Sequence, residues 1–360
     1  MKNEMQLSRL FICSVLPNSL IKQVKSPQAS NNFCFDLINN DCFNEVFSIV
    51  PPSYFHDELK KTYDNVKYFS YRRSSSRIFG FVVVFFLNIK CAINARKYKN
   101  IWFYNILNSN FFCYILLRFF FRKKVYVIFA DYTPSTSLFT LNYYIPFLLK
   151  KACGMVSLSS RTLLNNKNIQ YLAGILPLSK ITNRHFEKKE RFTFLFSGVL
   201  GDHTGLKLAI ETFKLLPEFT LIISGIGSID DAQFLGYKNI KYLGYLLYSD
   251  YLKLYDKVDV CLSLRDPNYA ENANNFPSKI VEYFSQNKIV ISTIDYPELR
   301  NFNYFKCEYN AHLLSDLIVV IQNMSEHELV KYANNNRSLA DEFSEKKWKD
   351  IFNLIERKIV

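Results

Sequence analysis

The residues best able to do chemistry stand together in the segment NNFPSKIVE, from Asn274 to Glu282. Pro277 sits where a helix would begin, and proline suits a first helical turn because its missing N–H would have no helical partner there. A helix starting at this point exposes the N–H groups of Ser278, Lys279 and Ile280. Unpaired amides and the positive end of the helix dipole attract a diphosphate, and the Lys279 ammonium adds a full charge at the same place. Glu282, one turn on, can accept hydrogen bonds from both hydroxyls of a ribose. Diphosphate and ribose are the part shared by UDP- and GDP-linked sugars. On spacing alone an ordinary amphipathic helix, with Ile280, Val281 and Phe284 in a core and Glu282 in water, reads as well.

Other candidates are scattered. Asp131 ends a strand and precedes Tyr132, Thr133 and Pro134. A carboxylate there can orient or deprotonate an acceptor hydroxyl, or simply cap a turn before proline. Ser30 and Asn31 belong to the polar segment SPQASNN (26–32), which follows the first strand where α/β folds place ligand loops; they are acceptor-binding candidates. So are Arg72 and Arg73, which with Tyr71 and Arg77 form a basic run suited to a phosphorylated acceptor or to a solvated face. Ser160 reads as a helix cap and His203 as a surface residue. The eight cysteines form no CxxC pair, and structural zinc needs clustered ligands, so no metal site is expected. Scattered cysteines suit a reducing cytoplasm.

Short apolar runs alternate with longer amphipathic ones, the rhythm of βαβ units and parallel sheets. The pattern predicts strands at 10–16, 45–50, 65–71, 101–106, 125–130 and 154–159, with helices between them. It breaks over 172–192, a polar stretch with Pro177 that reads as a linker. A second series then starts: strands at 192–198, 219–225, 240–244, 258–264 and 288–293, with helices near 205–215, 249–256 and 277–286. The last helix, 345–359, places Trp348, Ile351, Phe352 and Ile355 on one face. The expected fold is α/β, two Rossmann-like domains facing a central cleft that is the natural ligand site. The expected domains are 1–178 for the acceptor, 179–344 for the nucleotide-sugar, and a terminal helix, 345–360, crossing back to the first.

The chain of 360 residues is long enough for two cores, and its 49% apolar content is that of a globular protein. Its formal charge of +13 is one-sided. Residues 1–180 hold 23 Lys and Arg against 8 Asp and Glu, whereas residues 181–360 hold 22 against 24. A one-sided basic surface points to an anionic partner. The basic residues form no nucleic-acid module and are not interleaved with aromatics on one face, so nucleic acid is not expected. The first apolar run is short, carries Ser14 and reads as a buried strand, not a secretion signal. No stretch reaches the roughly 20 apolar residues of a spanning helix. FGFVVVFFLNI (79–89) and FFCYILLRFFF (111–121) come closest. The plainer reading is two buried helices packed on a sheet; a second, compatible reading has part of this surface touching lipid, with Arg122, Lys123 and Lys124 meeting anionic headgroups.

Several blocks, in order, resemble the retaining glycosyltransferases of the GT-B fold, family 4 and its relatives in bacterial surface-polysaccharide clusters. FLFSGVLGDHTGLKLAIETF (194–213) is similar to that family's first strand, glycine loop and helix. LIISGIGS (221–228) is similar to its second strand and paired-glycine turn. IKYLGYLLYSDYLKLYDKVDVCLSL (240–264) resembles the strand, the base-binding turn and the following helix and strand, and 274–293 the donor-binding helix. EFSEKKWKDIF (342–352) is similar to the terminal helix. In the first half, VIFADYTPS (127–135) and VSLSSRT (156–162) resemble strand ends facing the cleft.

The resemblance implies a nucleotide-sugar site made by Gly198, Gly201, Thr204, Gly225, Gly244, Tyr245, Phe276, Pro277, Ser278, Lys279, Ile280 and Glu282. It implies that Asp131, Lys279 and Asn274 take part in the reaction. Two positions depart from the family pattern. Asn274 replaces the first of two paired glutamates, which leaves the sugar open, and Thr204 replaces a basic residue, whose charge Lys207 or Lys279 would supply. No DxD motif occurs, which fits metal-independent transfer, and no cofactor is expected beyond the donor as co-substrate. The implied activity moves a UDP- or GDP-linked sugar, with retention, to a lipid-linked oligosaccharide in O-antigen or capsule assembly. It would act in the cytoplasm, peripherally on the inner membrane face. A catalytically degenerate relative serving as a membrane-associated scaffold is the alternative, and a GT-B epimerase would consume donor with no acceptor.

Overall fold

The computed structural model describes residues 9–17, 28–50, 62–63, 65–70, 77–130, 132, 134–182, 184–227 and 236–358. The chain divides into two units: residues 1–175 with 345–360, and residues 176–344. Both are the Rossmann-like α/β domains that the apolar rhythm predicts.

In the first unit, eight strands lie in the order β3-β4-β2-β1-β5-β6-β7-β8. They are β1 (Arg9–Cys13), β2 (Glu45–Ile49), β3 (Thr62–Tyr63), β4 (Val66–Phe69), β5 (Asn100–Tyr104), β6 (Lys124–Phe129), β7 (Gly154–Ser157) and β8 (Ile169–Tyr171). All pair in parallel except the two-residue edge strand β3, which runs antiparallel to β4. Strands such as RLFIC and NIWFY are apolar on both faces because helices cover both faces of the sheet. One face carries α1 (Gln28–Asn39) and the last helix, α12 (Glu345–Arg357), against Phe11, Trp102 and Tyr126. The other carries α2 (Arg77–Ala95), α3 (Phe111–Ile115, extended by a π turn over Leu116–Phe120) and α4 (Leu141–Lys151).

Helix α12 belongs to this first unit. Its Trp348, Phe352 and Ile355 are fully buried. Trp348 Nε1 donates to the Gly174 carbonyl at 2.7 Å, and Glu356 Oε1 accepts from Trp102 Nε1 and Arg9 Nε, both at 2.8 Å.

The second unit is a six-stranded parallel sheet in the order β11-β10-β9-β12-β13-β14. Its strands are β9 (Thr193–Val199), β10 (Thr220–Ile226), β11 (Ile240–Tyr242), β12 (Val260–Ser263), β13 (Ile289–Ser292) and β14 (Phe305–Lys306). Numbered within the unit the order is 3-2-1-4-5-6, so the strand order reverses between β9 and β12, and the carboxyl ends of those two parallel strands open a crevice for a ligand. Helices α5 (Leu206–Leu215), α6 (Tyr248–Leu254), α7 (Ala270–Asn274) and α8 (Ser278–Ser285) connect the strands, and α9 (Ala311–Asn323), α10 (Glu326–Ala333) and α11 (Asn336–Glu342) complete the unit.

Three expectations need correction. The segment 26–32 is not a loop throughout: α1 already begins at Gln28. No helix follows Ser160, where the described chain runs through a turn and irregular backbone to β8. β8 itself was not anticipated; three residues are too few for a period to show, and its outer edge is only partly covered.

Candidate active site

The loop after β9 and the start of α8 both lie at the carboxyl edge of the second sheet, because each follows a strand of the reversal point. Tight approach makes the loop possible. Gly225 pairs with Gly198 across β10 and β9, and a Cβ on Gly225 would lie 1.9 Å from the Gly198 carbonyl oxygen. Gly205 has φ of +84°, and a Cβ there would lie 1.5 Å from the Leu264 oxygen. Only glycine brings α5 that close to the end of β12. Gly201 opens the short turn Asp202–Thr204. Gly244, whose carbonyl accepts from Gly225 N and Ser224 Oγ at 3.1 and 2.9 Å, closes the far side, with Tyr245 next in the chain.

Thr204 does not substitute for a cationic phosphate ligand. Its hydroxyl bonds the carbonyls of Val199 and Gly201 at 2.8 and 2.7 Å and accepts from the Gly201 N–H at 3.1 Å, so it locks the loop from inside. Lys207 is exposed and pairs with Glu211 at 3.8 Å. A second lock was not anticipated from the sequence. Asn272 is fully buried, and its Nδ2 donates to the carbonyls of His203 and Asp266 at 2.7 and 2.8 Å while its Oδ1 accepts from Arg265 at 2.9 Å. Every polar atom of that side chain is used in tying the β9 loop to the β12 loop.

Helix α8 starts one residue later than the spacing suggests. Pro277 is the N-cap, with φ −78° and ψ 95°. The Ile280 N–H is not free, because it donates to the Pro277 carbonyl at 3.0 Å. The N–H groups of Ser278 and Lys279 have no partner among the described residues and remain the two open donors. Phe276 is buried against Tyr296, ring centroids 5.5 Å apart, so its side chain belongs to the core. Asn274 ends α7.

Glu282 is not an idle carboxylate. Its Oε2 pairs with Lys279 Nζ at 3.1 Å and its Oε1 accepts from Tyr255 OH at 3.0 Å. The Lys279 ammonium also lies over the Tyr251 ring, 3.9 Å from the centroid. Tyr255 OH bonds Tyr251 OH, which bonds Ser197 Oγ at 2.9 Å, and Ser197 Oγ bonds Tyr283 OH at 2.9 Å. A carboxylate only accepts, so it sets the direction of the whole line: Tyr283 donates to Ser197, Ser197 to Tyr251, Tyr251 to Tyr255, and Tyr255 to Glu282. Burial pushes the Tyr251, Tyr255 and Tyr283 hydroxyls well above the usual tyrosine range, and the Glu282 charge adds to this. They stay protonated donors. The Glu282 side chain keeps 22% of its surface exposed, and each oxygen has a lone pair left for a ligand hydroxyl.

The line Ser197, Tyr251, Tyr255 and Tyr283 was missed in the sequence. The signal was the i, i+4 pair Tyr251 and Tyr255 on a predicted helix, which reads equally as core packing. In the first unit, Ser30 is exposed on α1, but Asn31 is buried and holds both the N–H and the carbonyl of Leu16, at 2.8 and 3.2 Å. It braces the loop after β1 and is not open to an acceptor. Arg72, Arg73 and Asp131 lie outside the described residues. Among the described residues no three His, Cys, Asp or Glu side chains are placed to hold a metal.

Residues 179–302 match the family described as Glycosyl transferases group 1. The matched span covers the glycine loop, the tyrosine line and α8. The match supports a group 1 glycosyltransferase. The whole chain also resembles solved structures. Anabaena HepE, crystallised with UDP and glucose, is 15% identical with a TM-score of 0.69 over 96% of this chain and 98% of that one. A glycosyltransferase from Rickettsia africae is 15% identical, TM-score 0.68, over 98% and 99%. The UDP-forming α,α-trehalose-phosphate synthase of Burkholderia vietnamiensis is 10% identical, TM-score 0.69, over 98% and 99%. At these identities the likeness establishes the GT-B fold. No curated protein matches the sequence.

Proposed function

We propose that this chain transfers a hexose from a UDP- or GDP-linked donor to a lipid-linked oligosaccharide in O-antigen or capsule assembly, with retention of configuration and without a metal. The observation that carries this reading is the start of α8. Two open N–H groups, the helix dipole and the Lys279 ammonium meet beside the Glu282 carboxylate, at the reversal point of a 3-2-1-4-5-6 sheet, inside the segment that matches the group 1 family. The diphosphate sits on the Ser278 and Lys279 amides, and the ribose hydroxyls donate to Glu282. As the glycosidic bond breaks, charge grows on the diphosphate, and donors already aimed at it lower the barrier with little reorganisation. The UDP complex of HepE supports a nucleotide donor of this class. The basic first unit supports an acceptor held at an anionic membrane surface, on the cytoplasmic side.

The test is calorimetry with UDP, GDP and their sugar conjugates, followed by a lipid extract and mass spectrometry with the donor that binds. Lys279→Ala and Glu282→Ala should abolish transfer while keeping the fold; Glu282→Ala should also lower the melting temperature, because it leaves the buried Tyr255 hydroxyl without its acceptor. Full activity of both variants would remove the site assignment. Absence of binding to every nucleotide would favour the scaffold reading, and donor turnover with no acceptor would favour an epimerase.

A further inference from the structure

We infer that the first unit docks on anionic bilayers through the outer face of its α2, α3 and α4 layer, with α2 lying in the plane of the membrane. The three helices cover one face of the sheet, so their outward sides form one surface. On α2 that side is apolar: Ile78 is 80% exposed and Phe86 62%, with Phe79, Phe81, Val82, Phe85 and Ile93 also exposed. Positions 78, 82, 85, 86 and 93 recur at helical spacing, so they mark one face of the helix. Phe112 of α3 packs edge-on to both Phe81 and Phe85, at 5.6 and 5.1 Å, and joins the two helices into a continuous patch. Phe120 at the end of the π turn is 74% exposed, and Phe147 of α4 and Phe139 just before it are exposed as well. Contiguous exposed apolar residues of this kind mark a surface that docks on something.

Contrary to the expectation from sequence, residues Ile78–Ala95 form a helix that by length and composition is long and apolar enough to cross a membrane, because the helix extends well past the apolar run 79–89. They do not do so here, because the other side of α2 is committed to the domain. Asn88, Cys91, Ala92 and Ala95 are fully buried, and Asn88 bonds Cys113 N, Ser109 O and Val84 O within 2.9 Å. A helix held along one side can only enter the interface sideways.

Charge names the occupant. Between residues 65 and 186 the sole acidic residue is Asp131. Each helix runs antiparallel to the strands it joins, so the helix C-termini share one edge of the layer. Arg96, Lys97, Arg122, Lys150 and Lys151 are exposed along that edge. An apolar face rimmed by cations fits acyl chains beneath anionic headgroups. A second copy would bring two cationic rims together, which opposes pairing.

The proposal stands on the first unit and is read without catalysis, so its failure is separable from failure of the donor site, which UDP calorimetry on the same preparation reports. Full-length protein is sedimented with vesicles of phosphatidylglycerol and phosphatidylcholine, and with phosphatidylcholine alone, at low and high salt. Binding to the anionic vesicles should persist in part at high salt, because apolar insertion is not screened. Phe86→Ser with Phe120→Ser should weaken it about tenfold or more. Phe86→Trp should be quenched by lipids brominated on their acyl chains, whereas Val320→Trp, on exposed α9 of the other unit, should not. Three outcomes overturn the proposal: no binding to anionic vesicles, bound Phe86→Trp without quenching, or a dimer in vesicle-free solution that Phe86→Ser with Phe120→Ser converts to monomer.

Discussion

Glu282 ends a line of four hydroxyls, and this gives single-atom changes a measurable size. Tyr255→Phe removes one donor to the carboxylate and leaves the ring. A hydrogen bond to a charged group contributes about 1.5–3 kcal/mol, so UDP should bind about tenfold more weakly by calorimetry, with little change in helix content. Because burial raises the tyrosine pKa values above those of the unfolded chain, stability held below about pH 10 must fall as pH rises further, since the unfolded state then releases protons that the folded state retains. Urea midpoints taken from pH 8 to 11 should decline, and Tyr251→Phe should flatten part of the decline. Gly225→Ala is expected to be severe, because its Cβ would meet the Gly198 backbone and not a movable side chain. Loss of nucleotide binding with a lowered melting temperature would confirm it. Residue types alone exposed Lys279 and Glu282; the tyrosines were hidden because an aromatic stripe at helical spacing serves equally as core.

Among elements, those with a strong period were legible and those positioned by partners were not. Strands β9 to β13 and helix α8 fall within two residues of their expected limits, since apolar runs bounded by glycine and polar residues leave few alternatives. The loops beside them depend on side chains that reach across sequence. Asn272 and Asn31 are two such residues, and a lone asparagine carries no pattern. Asn31→Ala should cost about 1–3 kcal/mol by leaving the buried Leu16 N–H unpaired, read as a lower urea midpoint by circular dichroism. On α2, the sequence showed an apolar run but not which half met the sheet. Asn88 decides that, by fastening one side of the helix to the α3 start.

For the molecule as a whole, the chain leaves the first unit near residue 175 and re-enters it at Glu345. The return is fastened by the Glu356 carboxylate, whose side chain is 1% exposed, between Arg9 and Trp102. Removing one partner of a buried ion pair costs about 3–5 kcal/mol. Glu356→Ala should therefore destabilise the unit formed by both chain ends, and proteolysis under mild urea should release first-unit fragments while the 176–344 segment resists longer. The same variant should leave the affinity of UDP nearly unchanged, since its site residues lie in the other unit.

Taken alone, the sequence determined the α/β rhythm, the two sheets and the one-sided charge, and it singled out the segment that we propose holds a diphosphate. Those properties are local: they rest on side-chain period, on glycine and proline, and on net charge, each readable from neighbours in the chain. Only the tertiary structure decided which polar atoms were already in use. The Ile280 amide, the Thr204 hydroxyl and the Asn31 side chain all look available in sequence and are all consumed in the fold, because a buried polar group must find a partner and that partner is chosen by packing.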